Sequence, residues 1–582
     1  MNEEIASRRL ATTCNNIMNP LLLEHFDQLI STPEDVERLN RSILQMAVQG
    51  QLVEQNPNDE PAKELLKRIQ EEKEKLGMTQ SLIKVEEEEK TFDLPKGWEW
   101  ARWDDVSLQI ADVDHKMPDE VDEGIPYVSP RDFKGEEEIA FSTAKKVSRR
   151  DYEDLATKIR PERGDIIFPR YGTIGVNRFV SVDFEFLASY SCAIIKHMKG
   201  LMNPRYVYFY SISPFLKLET QKYINKTTQA NVGIKSIQKF VFPLPPLAEQ
   251  ERIVARVEEL FAQTRLLAEQ LAHSCTELDR LNESALAHLL ASETSEEFNE
   301  RWGFIAEHFD LLTSAPEHIA PLRQSILELA VRGKLAERDN NDLSNGNHYE
   351  TVLAERAIQA EASGIAPNGK FTTREEAKFA FSYPKEWLSI SLHESCTLIT
   401  DGKHGDCADE PNSGYFFLSA KDISGGKLLY NNAREIVEKD FQEVHSRTRF
   451  EPGDVVVTCS GTIGKTAVAL EDSRTRKTTF QKSVAILKPV RSVLNPHFLK
   501  IILVANLRLL TKTAQGSATQ NLLLRDLKAF GIGLPSLAEQ ERIVKRVEQL
   551  LGWCDALEAQ LRSAEEERGR LVESVLAMAS ML

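Results

Sequence analysis

The octapeptide LAEQERIV stands at Leu247–Val254 and again, letter for letter, 290 positions later at Leu537–Val544 of a 582-residue chain. Eight identical residues do not recur by chance at that length, so any fold for this chain must accommodate two copies of one unit. The repeat widens on inspection. HFDQLISTPEDVERLNRSILQMAVQGQL (from His25) answers HFDLLTSAPEHIAPLRQSILELAVRGKL (from His308), and DLPKGWEW (from Asp93) answers SYPKEWLS (from Ser382). GDIIFPRYGTIGVN (from Gly164) answers GDVVVTCSGTIGKT (from Gly453), CAIIK answers VAILK, and MNPRYVYFY answers LNPHFLKII. The chain is a tandem duplication with diverged interiors.

Each octapeptide follows prolines and opens a long stretch free of proline, the signature of a helix start. Apolar residues then recur in a 4,3 spacing through Ile253, Val257, Leu260, Leu267, Leu271 and on to Leu281, and through Ile543, Val547, Leu550, Leu557, Leu561 and on to Leu571. That is a heptad seam flanked by Glu, Gln and Arg, and it predicts two long helices packed on each other as a coiled coil. A helix from Leu247 to about Ala291 spans roughly 65 Å at 1.5 Å per residue. From the first rod to the mid-chain SIL helix there are 78 positions, and from the second rod through the two termini to the first SIL helix there are 87. The similar spacing predicts that the chain ends complete a second version of the mid-chain region, around a pseudo-twofold axis.

No apolar run approaches the roughly 20 residues of a membrane helix, and MNEEIASRRL lacks the apolar core of a secretion signal, so a cytoplasmic location is expected. Seven cysteines without a CxxC pair fit reduced thiols. The net charge of −17 argues against a polyanionic partner only as an average. From Lys145 to Phe242 there are 17 Lys and Arg against 8 Asp and Glu, and from His445 to Gly533 there are 14 against 5. Two basic blocks in an acidic chain suit two nucleic-acid-binding faces, although two ordinary domains with solvated lysines fit as well on charge alone.

Within the first block the candidates for DNA contact are Lys145, Lys146, Arg149 and Arg150, Arg170 beside the first GTIG, and Lys226, Gln229, Asn231 and Lys235 in NKTTQANVGIK. In the second they are Arg447, Arg449, Lys465, Arg474, Arg476, Lys477 and Lys482, with Gln520, Asn521 and Arg525 in GSATQNLLLR. Arg and Lys bind phosphate or guanine, and Gln and Asn pair with adenine edges. Catalytic patterns are missing by comparison. GTIGKT lacks the first glycine of a phosphate-binding loop, where Cys459 stands, and GTIGVN lacks the lysine as well, so both read as tight turns after a buried strand. DGKHGDC, with His404 and Cys407, has no second ligand pair and reads as a surface loop, and no metal site is expected.

LAEQERIV after a proline-rich strand end, the long helix, LRQSILELAVRGKL and two segments opening with PKGW or PKEW together resemble the specificity subunits of type I restriction-modification enzymes, the HsdS family. The resemblance covers nearly the whole chain. It implies an α+β fold in which two mixed α/β target-recognition domains are joined by two long helices packed as an antiparallel coiled coil, with an internal pseudo-twofold repeat. The corresponding division is an N-terminal helical region (1–92), a first recognition domain (93–245), a central region with the long helix (246–336), a linker (337–380), a second recognition domain (381–534) and a C-terminal helix (535–582).

The same resemblance implies a non-enzymatic subunit whose two domains each read half of a bipartite, asymmetric site in double-stranded DNA. Its helices set the spacer and dock two adenine-methyltransferase subunits, to which restriction and motor subunits join. S-adenosylmethionine, ATP and Mg are then expected on the partners and no cofactor on this chain. A non-catalytic coiled-coil adaptor, or a divergent DNA-modifying enzyme active by itself, are the competing expectations.

Overall fold

The computed structural model describes residues 24–78, 83–135, 137–225, 230–336, 348–365, 371–380, 382–512 and 521–579. The chain divides into two compact units, one of residues 1–276 with 565–582 and the other of residues 277–564. Both boundaries fall inside the long helices, Leu247–Leu290 and Leu537–Ala579. The start of each long helix therefore belongs to the same unit as the end of the other, as antiparallel helices require.

Each unit contains one four-stranded antiparallel sheet. In the first its order is 107–111, 192–197, 166–169, 178–179, and in the second 396–401, 484–489, 455–458, 466–468. The apolar runs DIIF and CAII, DVVV and VAIL supply the two central strands. Their continuity follows from burial on both faces, since alternate side chains point to opposite sides of a strand. Ile166, Phe168, Ala193 and Ile195 enter one core, while Ile167, Cys192 and Ile194 enter another. Val455, Val457, Ala485 and Leu487 part from Val456, Val484 and Ile486 in the same way. A second, three-stranded sheet repeats too: 145–147, 125–128, 187–188 in one unit and 434–435, 416–418, 478–480 in the other, the last pairing parallel in both.

The helix Pro33–Gln49 starts at a Thr32–Asp35 capping box with proline at its first turn and stops at Gly50, whose φ of 73° is open to glycine at little cost. Its apolar face shares one core with Ile253, Val257, Leu260 and Leu267 of the first long helix and with Val572, Val575 and Leu576 from the end of the second. Ser42 Oγ donates to the carbonyl of Leu576 at 3.3 Å, and Arg568 pairs with the buried Asp35. In the second unit Ile319 and Ile326 of the helix Ile319–Val331 pack with Leu550, Cys554, Leu557 and Leu561, and Arg323 holds Glu558 at 2.5 Å. The chain ends thus reproduce the mid-chain arrangement.

Along each rod the buried stripe drifts. Leu281 and Leu571, expected on the seam, are 38% and 53% exposed, whereas Asn282 and Val572 are 2% and 0% exposed. Residues 29 apart, such as 253 and 282 or 543 and 572, differ by only about 20° of rotation at 3.6 residues per turn, while a strict heptad loses about 20° per repeat. Over four heptads the inward face moves by one residue, and Asn282 uses its place to donate to the carbonyl of Leu312 at 2.5 Å.

The helices Ala62–Lys75 and Tyr349–Ala362 follow the two SIL helices in equivalent places. Ala62, Leu65, Leu66 and Ile69 bury one face of the first. Among the described residues no helix is long and apolar enough to cross a membrane.

Candidate nucleic-acid interface

The buried Glu and Gln of the two octapeptides make matching contacts inside the chain. Gln250 is fully buried; its Oε1 accepts the amide of Asn203 at 2.9 Å and its Nε2 donates to the carbonyl of Pro245 at 3.1 Å. Gln540 accepts the amide of Asn495 at 2.8 Å and donates to Pro535 at 2.9 Å. Asn203 and Asn495 each cap the helix that follows them, so one glutamine ties the start of a long helix to the first turn of a recognition-domain helix. The neighbouring glutamates are buried as well. Glu539 accepts from the indole Nε1 of Trp387 in PKEW at 3.1 Å, and Glu249 accepts from Gln55 at 3.1 Å. Helix and domain are joined twice by the same polar lock.

At one end of each four-stranded sheet, three loops meet. In the first unit the GTIG turn turns on Gly172 and Gly175 with φ of 70° and 86°, and Asn231 bridges to Tyr171 and Asn225. The amide of Val232 donates to the carbonyl of Arg170 at 2.9 Å, and that of Arg170 to Ser191 at 2.8 Å. In the second unit Gly461 and Gly464 turn with φ of 73° and 89°, Leu522 donates to the carbonyl of Cys459 at 2.8 Å, and Cys459 donates to Ser483 at 2.7 Å. The sequence therefore placed Arg170 and Asn231, and Lys465, Lys482 and Asn521, in loops that the fold brings together. Lys226, Gln229 and Gln520 lie outside the described residues.

An aspartate stands at the end of the first sheet strand in both units, Asp112 and Asp401, and each organises its end of the sheet. Asp112 receives Arg170, which is 5% exposed and also donates to the carbonyl of Tyr190 at 3.0 Å, together with Lys158 at 2.9 Å and His115 at 3.2 Å. Burial pushes the Asp112 carboxyl up, yet the hydrogen bond from Lys158 and the Arg170 charge hold it below its ordinary value. Asp401 receives His404 at 2.7 Å and Arg447 at 3.4 Å, and Arg447 also reaches Thr400 and the carbonyl of Gly402, both at 2.7 Å. Sequence reasoning missed Asp112 and took Asp401 only as part of the surface loop DGKHGDC. Their separation of 289 positions, the offset of the GTIG turns, was the available signal.

Several of the other candidates lie at the three-stranded sheets, while Lys235 and Arg525 sit on short helices packed against the four-stranded sheets. Lys145 donates to Pro118 and Lys146 to the carbonyl of Asp122, while Arg149 pairs with Glu185 at 2.8 Å. Arg474 pairs with Asp472 and lies 4.4 Å over Tyr430, Arg476 reaches Glu471, and Lys477 sits 5.7 Å over Tyr415. Arg449 ends its helix in the left-handed region and donates to the carbonyl of Ser363. Lys465 reaches the carbonyl of Ala420 at 3.4 Å, and Arg525, on the helix Leu524–Lys528, faces Asp526. Arg150, Lys235, Lys482, Asn521 and Arg525 are exposed. Among the described residues no group of three or more His, Cys, Asp and Glu could hold a metal ion.

Residues 95–273 and again 384–566 match the family described as type I restriction modification DNA specificity domain. The chain belongs to that family. It is 26% identical over 577 residues to the type I restriction enzyme EcoEI specificity subunit of Escherichia coli, covering 93% of each chain. It is also 26% identical over 573 residues to the EcoAI specificity subunit of Escherichia coli, again with 93% of each covered. Among solved structures, the HsdS subunit from Thermoanaerobacter tengcongensis is matched over 84% of this chain and 98% of its own, at 19% identity and a TM-score of 0.35.

Proposed function

We propose that this chain is the DNA-recognition subunit of a type I restriction-modification system, and that each of its two recognition domains, 93–245 and 381–534, reads one half of a bipartite asymmetric site. The observation that carries the reading is the family match in both halves, made over segments that hold the same loop cluster twice. In each cluster the GTIG turn, the Asn-containing loop and an aspartate-held arginine stand at one sheet end, with diverged side chains on a common backbone frame. A common frame with different side chains suits two domains reading different bases.

In this function the exposed cations Arg150, Lys235, Lys482 and Arg525 neutralise phosphates, and Asn231 and Asn521 contact bases. Arg170 acts through Asp112 as a positioning residue for its loop. The long helices separate the half-sites and carry two modification subunits, which bring S-adenosylmethionine and methylate adenine, and through them the restriction subunits. A binding subunit must leave the target base accessible to its partner, so the adenine is flipped into the modification subunit.

Single-molecule sequencing of host DNA for methyladenine, with the gene intact and deleted, tests the reading. A split, asymmetric motif that disappears on deletion is the expected result. Persistence of every methylated motif after deletion, in a host whose modification subunit is expressed, overturns it.

A further inference from the structure

The first unit carries an open groove of about 800 Å3 between the helix Pro33–Gln49 and the helix Pro214–Gln221. Arg38, Arg41 and Gln45 line one wall, three and four residues apart and so on one helix face. Lys217 and Gln221, four apart, line the other, and Ile174 of the GTIG turn also borders the space. Arg38 is held by Asp35 at 2.7 Å and lies 3.7 Å from Glu573, the one acidic side chain in the lining. Arg41 and Lys217 are exposed, with no ion-pair partner among the described residues.

The second unit does not repeat the Arg38, Arg41 and Gln45 wall. Under the 283-residue offset of the SIL helices, Pro321, Gln324 and Glu328 take the places of Arg38, Arg41 and Gln45. Gln324 donates to the carbonyl of Ala505 at 2.9 Å and to Glu328 at 3.1 Å, and Glu328 is paired with Arg332 at 2.9 Å. The polar groups there are satisfied internally, whereas the first unit presents two uncommitted cations.

We infer that the groove is a seat for the sugar–phosphate backbone of DNA beside the half-site of the first recognition domain, with Arg41 and Lys217 each on a phosphate. The inference rests on the DNA-recognition reading above and adds a contact surface outside the recognition domain. Two features favour DNA over an acidic protein. The groove is open, its cations and amides stand on two facing helix walls above an apolar floor that includes Ile212, Leu218 and Leu576, and it runs into the same GTIG turn that Asn231 joins through Tyr171; cations with a single acidic neighbour suit phosphate oxygens. Because the helix equivalent to Pro33–Gln49 carries no such cation at the matching positions, the two sides of the bipartite site are gripped unequally through these helices.

The test measures binding of the full chain, assembled with its modification subunit, to a duplex bearing the methylated motif over a range of salt concentrations. Arg41→Gln with Lys217→Gln is expected to weaken binding about tenfold or more and to reduce the slope of log K against log salt by about 1.8, near 0.9 per phosphate. The methylated sequence stays the same. Arg41→Lys with Lys217→Arg keeps the charge and is expected to keep the slope, which separates charge loss from misfolding. An unchanged slope in the Gln double variant overturns the inference. So does an unchanged slope accompanied by loss of the modification subunit, which assigns the groove to a protein surface. If the unaltered assembly shows no preference for the motif over scrambled DNA, the recognition reading fails first and the groove falls with it.

Discussion

Lys488 Nζ sits 2.6 Å from Asp454 Oδ2 inside the second recognition domain, with the lysine side chain 1% and the aspartate 0% exposed. The same Nζ donates to the carbonyl of Arg449 at 2.7 Å. The pair recurs in the first domain as Lys196 and Asp165 at 2.7 Å, where the lysine is 13% exposed. Each joins the GD that opens one central strand to the lysine that closes its neighbour, so the pair fixes strand pairing. Burial pushes the Asp454 carboxyl up to about 6 against the pull of Lys488. Removing Lys488 leaves the buried Asp454 carboxylate with only the half-exposed Arg491 at 3.8 Å, and Lys488→Met is expected to destabilise the second unit by about 3 kcal/mol. Adding Asp454→Leu to it should recover much of the loss, because an apolar pair of similar volume has no charge to desolvate. Urea unfolding followed by a probe in the second domain reads both.

Two buried histidines set a pH dependence. Burial, then the nearby Lys199 and Lys196, lowers His197 to about 4, and burial, then Lys528 and Arg356, lowers His393 to about 4. Between about 4 and the unperturbed value near 6.5 the unfolded chain therefore binds protons that the folded chain refuses, and stability falls as pH falls through that window. Asp454 opposes them, because its folded value is raised; its contribution is full below the unfolded value and is lost as pH rises through about 6. His197→Asn with His393→Asn is expected to flatten the fall in the urea midpoint between pH 6.5 and 4.5. An unchanged slope in that variant would show that neither ring is excluded from protonation.

The glutamines of the repeated octapeptide are predicted to hold the recognition domains to the rods. Gln250→Ala or Gln540→Ala leaves the amide of Asn203 or Asn495 and a proline carbonyl without their partner, a loss of about 1–3 kcal/mol for each buried group left unsatisfied. The expected result is faster hydrogen exchange in the helix Pro204–Ile212 or Pro496–Ala505, confined to the unit that carries the substitution. Equal exchange in variant and parent would show that these glutamines do not hold the recognition domains to the long helices.

Much of this architecture is readable in the residues. The duplication, the helix starts after proline, the GTIG turns and the twofold burial of DIIF and DVVV follow from spacing and local chemistry, because each is set within a few residues. The drift of the rod from Leu281 to Asn282 was not readable, since the heptad pattern alone cannot say whether a helix supercoils or stays straight. Nor was the fate of single cations. Arg170 and Arg150 look alike in sequence, but Asp112, 58 residues away, draws Arg170 into the core while Arg150 stays in solvent. Asp112 was overlooked because an isolated aspartate at a strand end has no local signature, and Asp401 was read only as part of the loop DGKHGDC; the repeat offset is what links the two.

That contrast yields a last prediction, about which cations the DNA feels. Lys482 is exposed at the loop cluster of the second domain, its backbone amide donating to the carbonyl of Lys403 at 3.0 Å, so its side chain is available to a phosphate. Lys482→Ala is expected to reduce the salt slope of DNA binding by about 0.9 and to weaken binding to every sequence alike. Arg170 is already committed to Asp112 and the carbonyls of Tyr190 and Val232, so Arg170→Met should leave the salt slope alone. Its effect is instead on the loop it holds: a lower melting temperature, because Asp112 loses its buried partner, and weaker discrimination within the first half-site only. Salt titration with the methylated motif and with versions altered in one half-site distinguishes the two. A reduced salt slope for Arg170→Met would place its guanidinium on a phosphate after all, and a sequence-dependent loss for Lys482→Ala would move that lysine from the backbone to a base.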